Sequence, residues 1–198
     1  MTKSYKTNYK VFNLPNEWFF FNPLKNPNNN FFYKISNHTG VVFFHNKNEK
    51  NCKFLEQIKP FVKWCKIKRM KFLVQCTLSW ANKYKPCGIL IDQDNCQINN
   101  MLNIQVLKKK FLIATKIHND IEAHRSKDKY NIFFISNVFL TDSHPKRRSI
   151  NFFRFFFLCN LLRKKIVFAL GGVNKENYNR LKNKNLNGFG GISCFIKK

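Results

Sequence analysis

Short apolar runs alternate with longer amphipathic stretches along most of the chain. The apolar runs are rich in β-branched and aromatic residues, as buried strands are. The alternation is typical of repeated βα units around a parallel sheet. It predicts strands near Trp18–Phe21, Gly40–His45, Lys71–Cys76, Gly88–Ile91, Phe111–Thr115, Ile132–Ser136, Ile166–Leu170 and Gly188–Ile192.

Helices are predicted between these strands, since the intervening stretches carry apolar residues at helical spacing. They fall near Asn28–Ser36, Lys50–Ile67, Leu78–Lys85, Gln97–Lys108, Asn119–Lys129, Ser149–Arg163 and Lys175–Lys184. We therefore expect an α/β fold, a compact TIM (β/α)8 barrel. Such barrels usually have about 250 residues, so the last helix, after Cys194, is expected to be truncated.

One barrel accounts for the whole chain apart from its start. With 198 residues and 44% hydrophobic content, the chain suits a single domain with its own core. We expect a basic N-terminal lead-in over residues 1–16 and the barrel domain over residues 17–198.

Carboxylates are scarce, so their positions are informative. Glu49, Asp120, Glu122 and Glu176 fall in or beside the first turn of a predicted helix, where the helix dipole favours negative charge. Asp92, Asp94 and Asp142 instead follow predicted strands. That end of a barrel is where these folds carry their chemistry.

The chain is strongly basic, with 36 Lys and Arg against 10 Asp and Glu and a net charge of +26. Such a balance raises nucleic acid as a partner. The cations are spread along the chain, however, and the phenylalanines lie in apolar runs instead of forming a stacking platform. We therefore do not expect a nucleic-acid partner, although a non-enzymatic basic barrel that binds nucleic acid stays as an alternative.

Neither cysteine spacing nor hydropathy indicates a secreted or membrane protein. The seven cysteines contain no C-x-x-C pair, and no run of about 18 apolar residues occurs. We expect reduced, mostly buried thiols in a soluble cytoplasmic protein that has no membrane contact.

Four ordered segments carry a family resemblance. Ser136 to Pro145 reads S-N-V-F-L-T-D-S-H-P, and the seventh strand runs into Leu170-Gly171-Gly172-Val173. Cys87 to Asn95 reads C-G-I-L-I-D-Q-D-N, and Gly40 to His45 supplies the second strand. Together they resemble the thiamine phosphate synthase/TenI family, in particular a bacterial branch with an S-x-V-F-x-T-x-S-H-P segment.

The resemblance implies an enzyme of thiamine biosynthesis. The family reaction couples hydroxymethylpyrimidine diphosphate with thiazole phosphate and releases diphosphate, which requires Mg²⁺, cations and N–H groups aimed at phosphate oxygens. The residues implied to bind substrate or phosphate are His45, Lys47, Thr141, Ser143, Gly171, Gly172, Gly191 and Ser193. Those implied to act on the reacting groups are Lys116, His118 and His144.

Several positions depart from the family pattern. The Q-x-R-x-K run after the second strand is replaced by Phe43 to Lys47, and the N-D pair after the third strand by Gln75-Cys76-Thr77. The Mg²⁺ role then falls to Asp92, Asp94 and Asn95. In the fifth strand Lys116 stands at the position of a serine.

These departures leave a second function open within the family. A TenI-like thiazole tautomerase, or a protein that binds thiazole phosphate without coupling it, needs the phosphate turn and a proton-transfer group such as His118 or His144, but no Mg²⁺. His45, His118 and His144 are all predicted at the same end of the barrel, which also permits a transition-metal site. A homodimer is a further expectation.

Overall fold

The structure is a computed structural model. It describes residues 3–6, 11–25, 29–45, 51–92, 104–141, 148–181 and 183–196. None of the described helices is long and apolar enough to cross a membrane.

Eight parallel strands close a barrel in the order β10-β3-β4-β5-β6-β7-β8-β9. The barrel strands are β3 (Glu17–Phe21), β4 (Gly40–Phe43), β5 (Phe72–Val74), β6 (Gly88–Ile91), β7 (Leu112–Ile117), β8 (Ile132–Ile135), β9 (Ile166–Leu170) and β10 (Gly188–Gly191). Each corresponds to a strand predicted from the apolar runs. The predicted fold class is confirmed.

Helices follow the strands along the chain. They are α1 (Asn51–Gln57), α2 (Lys59–Ile67), α3 (Leu78–Tyr84), α4 (Ile104–Lys110), α5 (Asp120–Ser126), α6 (Phe152–Leu161), α7 (Lys175–Tyr178) and α8 (Ser193–Ile196), with 3-10 helices at Asn30–Lys34 and Asn179–Leu181. The last helix has a single turn, as the chain length predicted.

The chain forms two compact units, Met1–Ile113 and Ala114–Lys198. In the first unit, β1 (Lys3–Lys6) and β2 (Val11–Leu14) form an antiparallel pair that sequence reasoning did not predict. Strands β3 to β6 pair in parallel. An aromatic cluster packs helix α2 on these strands, because the Phe61 ring lies 4.9 Å from Phe21 and 4.8 Å from Phe32.

The predicted helix over Lys50–Ile67 is two helices. They are separated at Ile58, and Pro60 occupies the first turn of α2. Proline has no N–H to donate and its fixed φ suits a first turn, so it begins a new helix instead of continuing the old one. The buried residues of α2 are Phe61, Val62 and Cys65.

In the second unit, β7 to β10 are also parallel neighbours. Phe134 of β8 and Phe168 of β9 stack with ring centroids 5.3 Å apart. Helix α6 packs through its buried Phe155, Leu158 and Cys159.

Helix N-termini in this unit confirm the placement of the acids. Asp120 and Glu122 lie in the first turn of α5, and Glu176 in the first turn of α7. Their negative charge interacts favourably with the positive end of the helix dipole. Glu49 lies outside the described residues.

The cysteines in the described part of the chain form no disulfide bonds. Cys65, Cys76 and Cys159 are buried, while Cys52 is exposed. Burial raises the pKa of the Cys65 and Cys159 thiols to about 12 and raises that of Cys76 as well. These side chains therefore behave as small apolar groups in the core.

Candidate active site

The segment after β8 pairs with the end of β9. The N–H of Val138 donates to the carbonyl of Leu170 at 3.0 Å, and that of Phe139 to the carbonyl of Gly171 at 3.0 Å. The parallel ladder thus continues past both strands. It holds residues 137–140 against the turn that follows β9.

That turn requires glycine at two successive positions. Gly171 has φ +89° and Gly172 has φ +65°, which side chains rarely adopt. A Cβ at Gly172 would lie 2.4 Å from the carbonyl oxygen of Leu140, and one at Gly171 would lie 3.0 Å from the Cα of Asn137. The two glycines are needed for backbone-to-backbone packing as well as for the turn.

The turn presents main-chain N–H groups. Among the described residues, the N–H groups of Gly172 and Val173 donate to no protein acceptor. The carbonyl of Gly172 is already used, because it accepts from Nδ2 of Asn177 at 2.8 Å. Adjacent N–H groups at such a turn form a site that an anion can occupy.

Gly191, also predicted to bind phosphate, lies beside this turn, and Ser193 and Thr141 are each close in sequence to a residue that packs on it. A Cβ at Gly191, the last residue of β10, would lie 3.3 Å from the carbonyl oxygen of Val173. Ser193 is exposed at the start of α8, two residues further on. Thr141 follows Leu140, whose carbonyl packs on Gly172. The second unit therefore brings Gly171, Gly172 and Gly191 together.

The end of β7 fixes the imidazole of His118. Its Nδ1 lies 2.8 Å from the carbonyl oxygen of Ser136. A carbonyl only accepts, so Nδ1 carries a proton, and Nε2 of the neutral ring is the acceptor. The ring is therefore held in a tautomer whose Nε2 can take up a proton.

Glu122 fixes the backbone around His118. One carboxylate oxygen accepts the N–H of His118 at 2.8 Å, and the other accepts from Nδ2 of Asn119 at 2.6 Å. The Asn119 side chain in turn accepts the N–H of Glu122 at 2.8 Å and caps α5. Sequence reasoning assigned Glu122 to the helix dipole alone and missed this contact.

Lys116 lies two residues before His118 on the same face of β7. Its register partner in β8 is Phe134, which in turn is opposite Phe168 of β9. Lys116 is only partly exposed, in a strand whose other residues are buried. A cation in this position can contribute charge at the carboxyl end of β7.

In the first unit, His45 is buried after β4. Its ring packs against Phe54 of α1 with centroids 4.9 Å apart, and its N–H donates to Oε1 of Gln75 at 3.2 Å. This packing favours a structural role. That His45 binds substrate stays a prediction.

The comparisons with known proteins identify the family. Residues 34–195 match the family model TMP-TENI, thiamine monophosphate synthase. The chain belongs to this family. No curated protein matches the chain.

Solved structures show the same fold as this family member at low identity. A thiamine phosphate pyrophosphorylase from Pyrococcus furiosus superimposes with a TM-score of 0.66 at 18% identity, covering 89% of this chain and 85% of its own. One from Bacteroides thetaiotaomicron gives 0.54 at 14% identity, with coverages of 90% and 82%. An HpcH/HpaI aldolase from Desulfitobacterium hafniense gives 0.57 at 8% identity, with coverages of 90% and 86%.

Thiamine phosphate synthases are generally Mg²⁺-dependent, so the fit of the described residues to Mg²⁺ is relevant. After β5, Gln75 is bonded to His45, Cys76 is a buried thiol and Oγ1 of Thr77 caps α3. None of them offers a carboxylate. Asp92, directly after β6, offers a carboxylate. One carboxylate together with substrate phosphates is an ordinary set of ligands for Mg²⁺.

The remaining predicted site residues lie outside the described residues. They are Lys47, Asp94, Asn95, Ser143 and His144. Within the described ranges no group of three or more His, Cys, Asp or Glu side chains could hold a metal ion. The transition-metal site predicted from His45, His118 and His144 includes a residue beyond those ranges and stays a prediction.

Sequence reasoning did not single out the buried polar residues at the strand ends. Gln75, Ser136 and Asn137 are all buried. They follow short, fully buried strands. A polar residue directly after such an apolar run is the sequence signal that could have identified them. Gln75 bonds His45 of another segment, whereas Oγ of Ser136 donates to Oδ1 of the adjacent Asn137.

Proposed function

We propose that the chain is a thiamine phosphate synthase-like transferase. It would couple hydroxymethylpyrimidine diphosphate with thiazole phosphate, giving thiamine phosphate and diphosphate. The observation that supports this most is the Gly171–Gly172 turn, whose N–H groups suit a phosphate, within a chain that belongs to the family.

The thiazole phosphate would bind at this turn. The N–H groups of Gly172 and Val173 would donate to its oxygens, and Gly191 keeps the adjacent strand end free of a side chain. Hydroxyls of Thr141, Ser143 and Ser193 would add donors. All of these groups are neutral, so the pH dependence of binding at the turn would come from the phosphate itself, whose second pKa is about 6.

Charge on the departing diphosphate would be met by cations. Lys116 stands in place of a serine and supplies one, while Lys47 and His144 are further candidates. Asp92, with Asp94 and Asn95, would hold Mg²⁺, whose positive charge would neutralise negative charge on the leaving diphosphate. Such preorganised positive charge stabilises charge that develops in the transition state.

A coupling assay tests this function. Both substrates are supplied with and without Mg²⁺, and thiamine phosphate is followed. We expect metal-dependent product, and Lys116→Met should lower kcat/KM by about tenfold or more because a charge near the diphosphate is lost. Lys127→Met is the matched control, since Lys127 is also partly exposed and directly follows α5, and this variant should retain activity. Absence of product from folded wild-type protein would exclude the synthase reaction.

A TenI-like activity is the second candidate, and two observations favour it. The residues after β5 provide no carboxylate, and His118 is held with Nε2 available for proton transfer. If coupling fails, thiazole phosphate should still bind, measured by calorimetry. His118→Asn should then abolish tautomerisation but leave that binding intact. A variant that tautomerises normally would remove His118 from this role.

A further inference from the structure

Helix α6 carries an apolar face that the fold does not use. Its buried side packs through Phe155, Leu158 and Cys159. On its outer side Phe152, Phe153 and Phe157 remain exposed by 45%, 87% and 52%. The rings of Phe152 and Phe139 are in contact, with centroids 5.9 Å apart. Leu140, which follows Phe139, is 70% exposed. We call Leu140, Phe152, Phe153 and Phe157 the α6 patch.

The area of the α6 patch can be compared with the area that a stable interface buries. If a fully exposed phenylalanine presents about 200 Å², the three phenylalanines leave roughly 370 Å² of apolar surface in water. A stable interface buries about 800 Å² per partner, of which about 60% is apolar. With Leu140 added, the patch approaches the apolar share of one side of a standard interface.

The α6 patch is also poor in net charge, on a chain with a net charge of +26. The only ionisable side chain in α6 besides its cysteine is Arg154, which forms an ion pair with Asp120 of α5. Two copies of so basic a chain repel one another, and a helix whose cation is paired with a carboxylate adds less to that repulsion than one with an unpaired cation. The exposed cations Arg148 and Arg163 lie beyond the two ends of the helix. Depletion of charge with enrichment of aromatics and Arg is the composition of an interface core.

We propose that the α6 patch is the contact surface between two copies of this chain. A two-fold axis would place the same patch on both sides, so that each copy covers the phenylalanines of the other. Phe153 is the most exposed member and would be the main contributor to affinity. The proposal is independent of the reaction that the chain catalyses.

Sedimentation velocity over a concentration series tests the proposal. The wild-type chain should sediment at twice its 23.7 kDa mass at micromolar concentration. Phe153→Asp should raise the dimer dissociation constant at least about 50-fold, because a buried aromatic contact is replaced by a desolvated charge. An acid in the first turn also suits the helix dipole, so the variant should fold.

Ile67→Asp is the matched control. Ile67 ends α2 in the first unit and is 63% exposed, and the change lowers the net charge by the same single unit. We expect its dissociation constant to stay within about twofold of wild type. Hydrogen exchange of residues 152–161 should also slow as the wild-type concentration rises.

Three results would overturn the proposal. They are a wild-type chain that stays monomeric at all concentrations, a dimer that Phe153→Asp leaves unchanged, and a monomer that binds anionic phospholipid vesicles through the α6 patch. The last would make the patch a lipid-binding face. A circular dichroism spectrum of each variant checks that the fold is retained.

Discussion

Gly172 illustrates how a single residue can serve two demands. Its φ of +65° permits the turn, and its missing Cβ admits the carbonyl of Leu140. The order of residue types along the chain predicts the positive φ, because a Gly-Gly pair after a strand indicates a tight turn. The second demand depends on a segment more than 30 residues away and is visible only in the fold.

Gly172→Ala should therefore destabilise the protein markedly. A positive φ costs an alanine about 1 to 2 kcal/mol, and overpacking against backbone adds about 1 to 3 kcal/mol. We expect the free energy of unfolding, measured in urea, to fall by roughly 2 to 5 kcal/mol.

Gly191→Ala provides the comparison. The new Cβ would meet Sγ of Cys194, a side-chain atom that can rotate away, and Gly191 does not have a positive φ. The loss of free energy of unfolding caused by Gly191→Ala should be clearly smaller than that caused by Gly172→Ala. Equal losses for the two variants would contradict the role assigned to the backbone contact.

At the scale of whole elements, the strands were predictable and the helix bounds less so. Buried strands such as β8 and β9 are continuous apolar runs, which the sequence displays directly. The break at Ile58 is marked by Pro60, which an argument from apolar spacing alone overlooks. The 3-10 helix at Asn30–Lys34 depends on local backbone geometry that apolar spacing does not encode. The His118 contact with Ser136 likewise needs the pairing of β7 with β8.

Asn119 connects one element to the candidate site. It caps α5 and bonds Glu122, which also accepts the N–H of His118. Asn119→Ala should lower the free energy of unfolding by about 1 kcal/mol, the usual loss for a helix cap. Asn119→Ser should restore most of it, since serine caps as well. Equal urea midpoints for wild type and the alanine variant would contradict the capping role.

At the scale of the whole molecule, buried thiols make stability depend on pH. The pKa of the Cys65 and Cys159 thiols is raised by burial to about 12, from an ordinary value of 9.0, and that of Cys76 is raised too. Below pH 9 both folded and unfolded chains keep these protons, and the stabilisation is fully present. Between pH 9 and about 12 only the unfolded chain releases them, so stability falls as pH rises.

We expect the free energy of unfolding to be lower at pH 10 than at pH 8 by about 1 kcal/mol for each such thiol. Chemical denaturation at the two pH values measures this difference. Cys159→Val replaces one thiol by a side chain of similar volume. It should reduce the difference between the two pH values by the contribution of one thiol, about 1 kcal/mol. A variant with the wild-type pH dependence would show that Cys159 does not contribute.

The turn after β9 offers main-chain N–H groups and no charged side chain, and this difference bears on how a chain can diverge. Recognition through main-chain groups depends on a backbone path, which two glycines preserve, whereas recognition through charged side chains is lost with one codon change. Substitutions can therefore accumulate around the turn without altering what it offers to an anion. A turn of this kind can therefore be retained while the side chains around it change.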